Sequence, residues 1–172
     1  MNEFIRSLLG RYQQKGILID TNILLLLFVG TVNRSRISQF NRTEKFTPED
    51  YDLLVRILLF FQRIVTTPNI LTEVNSLING IGEPERSRCL EIFANIVNEK
   101  LSEFYIESTS AVKLENFTKF GLTDCGIINI ARDKYLVLTD DFKLANYLQT
   151  IKIDVINFEL IRRMGSNPSA VL

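Results

Sequence analysis

Four short stretches of this chain end an apolar run on a carboxylate that packing does not require. Asp20 closes Ile17-Leu18-Ile19, Glu73 lies inside Pro68-Asn69-Ile70-Leu71-Thr72-Glu73-Val74, Asp124 follows Thr123, and Asp140 and Asp141 follow Leu136-Val137-Leu138-Thr139. Taken singly, Asp20, Asp124 and Asp141 read equally well as helix caps or helix-dipole partners, and Glu73 as a solvated helical residue. Their recurrence at strand-to-helix junctions around one core favours a shared anionic site. Two carboxylates about 5 Å apart repel by roughly 3 kcal/mol at an effective dielectric of about 20, so such a cluster needs protons or a cation. Oxygen donors without histidine or cysteine select Mg²⁺ or Mn²⁺ over zinc. The chemistry such a site would serve is divalent-metal phosphodiester hydrolysis.

Composition narrows the alternatives. Lysine plus arginine and aspartate plus glutamate both count 20, so no global field draws the chain to a polyanion, and a local patch or a metal must do so. There is no histidine, which excludes Ser-His-Asp and Cys-His catalysis, histidine zinc sites and histidine acid–base nucleases. Water activation then falls to a metal ion. Cys89 and Cys125 lack the spacing of a zinc set or a disulfide framework, and the expectation is a reduced, cytoplasmic chain. Ile17 to Val29 is apolar, but Asp20, Thr21 and Asn22 interrupt it, and it is shorter than the ~20 residues that span a bilayer. No secretory signal is evident at the N-terminus.

The elements that must position the acids follow from pattern and punctuation. Ile17–Asp20 reads as a buried strand and Thr21–Val29 as a helix apolar nearly all round. Residues 30–46 are polar, and the expectation there is a loop or partly ordered insertion. Thr47-Pro48-Glu49-Asp50 starts a helix to about Arg63, and Thr67-Pro68 starts another to about Ile78. Strands are expected at Ile64–Thr66, Phe104–Ile106, Tyr135–Thr139 and Ile153–Ile156. Helices are expected at Glu85–Lys100, Ala111–Phe117, Asp124 to about Arg132 with Thr123 as cap, and Asp141–Leu148. Strands alternating with helices mean one α/β domain with a parallel sheet and right-handed crossovers. Ligands of such sheets bind beyond the carboxyl ends of the strands, where all these acids lie, Glu73 and Asp124 in first helical turns.

Leu18-Ile19-Asp20-Thr21-Asn22-Ile23-Leu24 resembles the opening signature of PIN-domain ribonucleases, and the later Thr-Glu-Val, Leu-Thr-Asp and Leu-Thr-Asp-Asp segments keep that family's order. The match runs from Gly16 to about Phe158. The resemblance implies a single PIN-like domain over 1–172, a three-layer α/β/α fold with a central, mainly parallel sheet, Mg²⁺ or Mn²⁺ as cofactor, and endonucleolytic cleavage of single-stranded RNA. By position, Asp20, Glu73, Asp124 and Asp141 would be the catalytic metal ligands, Asp140 an added carboxylate, and Thr21, Asn22 and Thr139 their hydrogen-bond orienters. The partners implied are RNA, single-stranded or structured, and an antitoxin protein if the chain is a toxin. A homodimer stays open, and no membrane is involved. Asp20 and Glu73 are separated by more chain than a compact toxin of this family carries, the surplus falling in the insertion and the helix after it.

Asp140 and Asp141 cannot both face one ion from an extended strand, because successive side chains alternate. The Thr-x-Asp pattern assigns the crevice to Asp141. Arg34, Arg36, Arg42 and Lys45 surround Phe40 in the insertion, a candidate RNA or partner contact whose bland reading is a solvated loop. Two rivals remain: a non-catalytic PIN-like module that binds RNA or protein, and a flap-type DNA nuclease or phosphoryl-transfer signalling domain. The last pair lacks its basic arch or its Asp and Lys arrangement here.

Overall fold

Strand β1 (Ile17–Ile19) is buried on both faces, as three consecutive aliphatics between Gly16 and Asp20 dictate. It is the middle strand of a sheet completed by β2 (Ile64–Thr66), β3 (Leu101–Glu103), β4 (Leu136–Thr139) and β5 (Val155–Asn157). All neighbours pair in parallel, in the order β3-β2-β1-β4-β5. The computed structural model describes residues 3–165; the ends of the expected 1–172 domain, residues 1–2 and 166–172, lie outside them. The helices are α1 (Glu3–Tyr12), α2 (Thr21–Val32), α3 (Pro48–Leu59), α4 (Pro68–Ile78), α5 (Glu85–Glu99), α6 (Ser108–Ala111), α7 (Phe117–Ala131), α8 (Phe142–Thr150) and α9 (Phe158–Gly165). They flank the sheet as an α/β/α sandwich. Among the described residues no helix is long and apolar enough to cross a membrane.

Local chemistry sets the helix starts. At α3, Thr47 and Asp50 form a reciprocal capping box with Pro48 in the first turn, and at α4 Thr67 accepts from the Ile70 amide at 3.2 Å. Helix α2 packs against α3, α4 and α5, which accounts for its apolar circumference. At Gly30 the ring of Tyr51 comes so close that a Cβ would stand 2.2 Å from it.

Several boundaries differ from expectation. Helix α3 stops at Leu59, and Phe61 turns into the core. The third strand begins three residues early, because the ladder with β2 opens as soon as α5 ends. Phe104 donates the last bond of that ladder to the Thr66 carbonyl, and its ring packs on Tyr135 with centroids 5.5 Å apart. The short helix lies at Ser108–Ala111 rather than Ala111–Phe117. Thr123 caps nothing: α7 starts at Phe117 and bends at Gly121, whose φ of 73° is open to glycine at little cost.

The largest correction concerns residues 30–46. Helix α2 continues to Val32, a 3₁₀ turn follows at Arg34–Arg36, and successive turns lead to Phe46. Ile37, Phe40, Thr43 and Phe46 are buried, and the Thr43 hydroxyl donates to the Ile37 carbonyl at 2.8 Å. Phe46 meets Phe158 edge-on, with centroids 6.0 Å apart, and Arg162 donates to the Lys45 carbonyl at 2.7 Å. The segment is a packed strap over the carboxyl ends of β4 and β5, not a solvated loop.

Candidate active site

The strand order fixes where a ligand can bind. From β1 the chain works outward to β2 and β3, then returns to place β4 on the other side of β1 and continues to β5. The carboxyl ends of β1 and β4 are therefore the switch point of the sheet, where connections leave in opposite directions and a crevice opens. Asp20 leaves β1 there, and Asp140 and Asp141 leave β4. Helices α4 and α7 add Glu73 and Asp124, and a cleft of about 440 Å³ is lined by Asp20, Glu73, Asp124 and Asp141 with Thr21 and Thr123 between them.

Three of the four acids, Asp20, Glu73 and Asp141, are held by donors that carry no charge. Asp20 accepts from the Thr21 amide at 2.6 Å and from the Thr139 hydroxyl at 2.5 Å. The same hydroxyl accepts from the Asp141 amide at 3.0 Å, so Thr139 ties the ends of β1 and β4 together. The two oxygens of Glu73 receive the Thr21 hydroxyl at 2.8 Å and the Thr123 hydroxyl at 2.6 Å. Asp141 caps α8 through the Lys143 and Leu144 amides. Capping and site membership are thus the same geometry for Asp20 and Asp141, because a cap at the end of a strand already faces the crevice.

Crowding appears in the electrostatics. Burial pushes the Asp20 carboxyl up to about 6, with the charge of Asp140 adding to it and the Thr139 hydrogen bond opposing it. Burial also raises Asp124, to about 7, helped by Asp20, Asp141 and Glu73. Those four acids therefore share one field. Among the described residues, no three acid or cysteine side chains stand close enough together to hold an ion as they are. Asp20 and Glu73 are tethered separately, Asp20 by the Thr139 hydroxyl and Glu73 by those of Thr21 and Thr123.

Other expected residues fall elsewhere. Asp140 is outside the cleft lining, buried beneath Lys45 and bonded by the Asn22 amide at 3.2 Å, so Asn22 orients Asp140 and not the cleft acids. Glu73 occupies the second turn of α4 rather than the first. Arg34 pairs with Asp52 at 2.6 Å and lies over the Tyr51 ring, while Arg36 approaches Glu85 at 3.9 Å; both turn toward α3 and α5 and away from the acids. Arg42 is exposed and Phe40 is buried. That removes Phe40 as a stacking surface for RNA.

The cleft also contains residues that motif reading passes over: Ser76 and Leu77 one turn beyond Glu73, and Phe120, Gly121 and Leu122 before Thr123. The spacing of Ser76 and Leu77, three and four residues beyond Glu73 in one helix, is the signal that could have found those two. The Phe120 ring rests on Tyr147 with centroids 4.9 Å apart. No protein-family model matches the chain, and no curated protein matches it.

Proposed function

We propose that the chain is a divalent-metal-dependent endoribonuclease of the PIN type, acting on single-stranded RNA in the cytoplasm. One observation carries the reading: acids from four separate elements line one cleft at the switch point of a parallel sheet, and among the described residues no lysine or arginine pairs with them. The donor set is oxygen alone, which fits Mg²⁺ or Mn²⁺, and carboxyls pushed toward neutral pH are those that gain most from a cation. When bound, such an ion supplies Lewis-acid activation of water and offsets charge on the phosphate.

The chain's own part is positioning. Asp20, Glu73, Asp124 and Asp141 supply the ligands, and Thr139, Thr21 and Thr123 fix the carboxylates of Asp20 and Glu73. Phe120, Leu77 and Leu122 form an apolar wall beside the acids against which a nucleobase can rest while its phosphate faces them. The role of a toxin with an antitoxin partner rests on the resemblance, and a neighbouring reading frame encoding an inhibitor is its test.

The rival is a non-catalytic PIN-like binding module, favoured by the absence of a ready-made ion cage among the described residues. Incubation with unstructured RNA separates the two. The nuclease cuts with Mn²⁺ or Mg²⁺, stops with EDTA and is silenced by Asp20→Asn. Intact RNA under every metal, with tight RNA binding retained by Asp20→Asn, establishes the module.

A further inference from the structure

Asp140 and Asp141 are adjacent in the chain and opposite in their surroundings. Asp141 faces the open cleft. Asp140 is 2% exposed at its side chain and takes the ammonium of Lys45, itself 51% exposed, on one oxygen and the Asn22 amide on the other. Lys45 has a half-exposed side chain on a fixed backbone. Its carbonyl is clamped by Arg162, and Phe46 beside it is buried against Phe158, so packed backbone delivers the charge. Asp140 also stands beside the cleft, since the Asn22 side chain that bonds it belongs to the cleft lining and Asp141 next to it lines the cleft as well.

We propose that Lys45 is a tethered counter-ion of the acidic edge: its ammonium occupies Asp140 and withholds that carboxylate from the ion-binding set, leaving Asp20, Glu73, Asp124 and Asp141. The inference rests on the reading of those acids as a cation site. A buried carboxylate beside Asp20 that loses its ammonium retains its need for a cation, and a dissolved one takes over. Lys45 is therefore a positioning residue, and its removal strengthens ion binding where removal of an ordinary site residue weakens it.

The test is titration of Mn²⁺ into the full chain, followed by calorimetry and by the rise in melting temperature. Lys45→Met binds Mn²⁺ about tenfold tighter than wild type or takes up one ion more, as one added carboxylate near a partly solvated ion requires. Lys45→Gln does the same if the methionine variant folds poorly. Lys45→Arg behaves like wild type, Asp140→Asn, which leaves the ammonium unpaired, binds Mn²⁺ no tighter than wild type, and Lys45→Met with Asp140→Asn abolishes the gain. Unchanged or weaker binding by Lys45→Met and Lys45→Gln, beside a wild type that binds, overturns the counter-ion role, as does a gain that survives Asp140→Asn. If wild type takes up no Mn²⁺ but Lys45→Met does, the counter-ion role stands and the native cation site falls; if neither does, both fall.

Discussion

The two sides of the sheet's carboxyl edge treat their acids in opposite ways. Toward β5, buried Asp140 meets Lys45, and buried Asp50 meets Arg162 at 3.1 Å, both under the packed strap. Toward the cleft, Asp20, Glu73 and Asp141 meet hydroxyls and backbone amides, and among the described residues no lysine or arginine pairs with them or with Asp124. The same fold thus supplies a cation to one carboxylate and withholds it from the next residue along. Asp20 is buried and Asp124 half-buried with no cationic partner among the described residues, and burial without compensation leaves a charge that something outside the chain must balance.

The most forceful way to break this contrast is to neutralise one acid on each side. If the proposed nuclease reading holds, with each of them an ion ligand, Asp20→Asn or Asp124→Asn should lower the single-turnover cleavage rate by more than about a thousandfold, or about 4 kcal/mol of barrier. Asp140→Asn should stay within about tenfold of wild type, and Asp141→Asn should fall between. A ranking with Asp140→Asn below Asp141→Asn would reverse the sides and show that the ammonium of Lys45 is displaced in the working enzyme.

Stability should break the other way. Phe46, 1% exposed against Phe158, anchors the strap, whereas Phe142, beside Asp141, is 45% exposed. Phe46→Ala should cost about 3–5 kcal/mol in urea unfolding, and Phe142→Ala less than about 1 kcal/mol. Deleting residues 31–45 should accordingly unfold the domain. That outcome opposes what a polar, basic stretch suggests by composition.

A pH series sharpens the comparison at the level of charge. Carboxyls whose folded pKa is raised bind protons more tightly folded than unfolded, so stability is full below their ordinary value near 3.8 and falls as pH rises through about 6 for Asp20 and about 7 for Asp124. Each tenfold difference in proton affinity between the folded and unfolded chain is worth about 1.4 kcal/mol. Without metal, melting should therefore show a loss on the order of a few kcal/mol between about pH 4 and about pH 8. Millimolar Mn²⁺ should flatten the curve near the alkaline end by favouring the carboxylates. A metal-free protein whose stability rises across that range would mean that these acids are compensated after all.

What the sequence disclosed follows the range of the forces involved. Strand β2 and helix α4 match expectation because Thr-Pro starts, caps and a buried aliphatic run are local signals. The convergence of Asp20, Glu73, Asp124 and Asp141 is legible because each sits at an element boundary or one turn beyond it, and boundaries of parallel strands meet at one edge. Long-range packing is not. Ile5, Leu8, Leu9 and Tyr12 repeat at helical spacing in α1, yet only their burial against the sheet identifies a fold element. The strap escapes local pattern for the same reason: its polar residues outnumber Ile37, Phe40 and Phe46, but three apolar side chains at the right places suffice to pack it. The Lys45–Asp140 pair spans 95 residues, beyond any local pattern.

The smallest expected effect isolates two threonines, one on each side. Thr123 donates to Glu73 at 2.6 Å, and Thr43 donates to the Ile37 carbonyl at 2.8 Å; both are buried, and valine replaces either with little change of volume. Thr43→Val leaves a buried carbonyl short of a partner inside the strap and should cost about 1–3 kcal/mol of stability with ion binding untouched. Thr123→Val should do the reverse. Glu73 is exposed, so water replaces the lost hydroxyl and stability should change by less than about 1 kcal/mol, but the carboxylate is no longer aimed and Mn²⁺ affinity should fall about tenfold. Thr123→Ser, which keeps the donor, should restore the affinity. Equal stability losses for the two valine variants, with Mn²⁺ binding unchanged in both, would make the hydroxyls around Glu73 part of the scaffold and remove the distinction between the two sides.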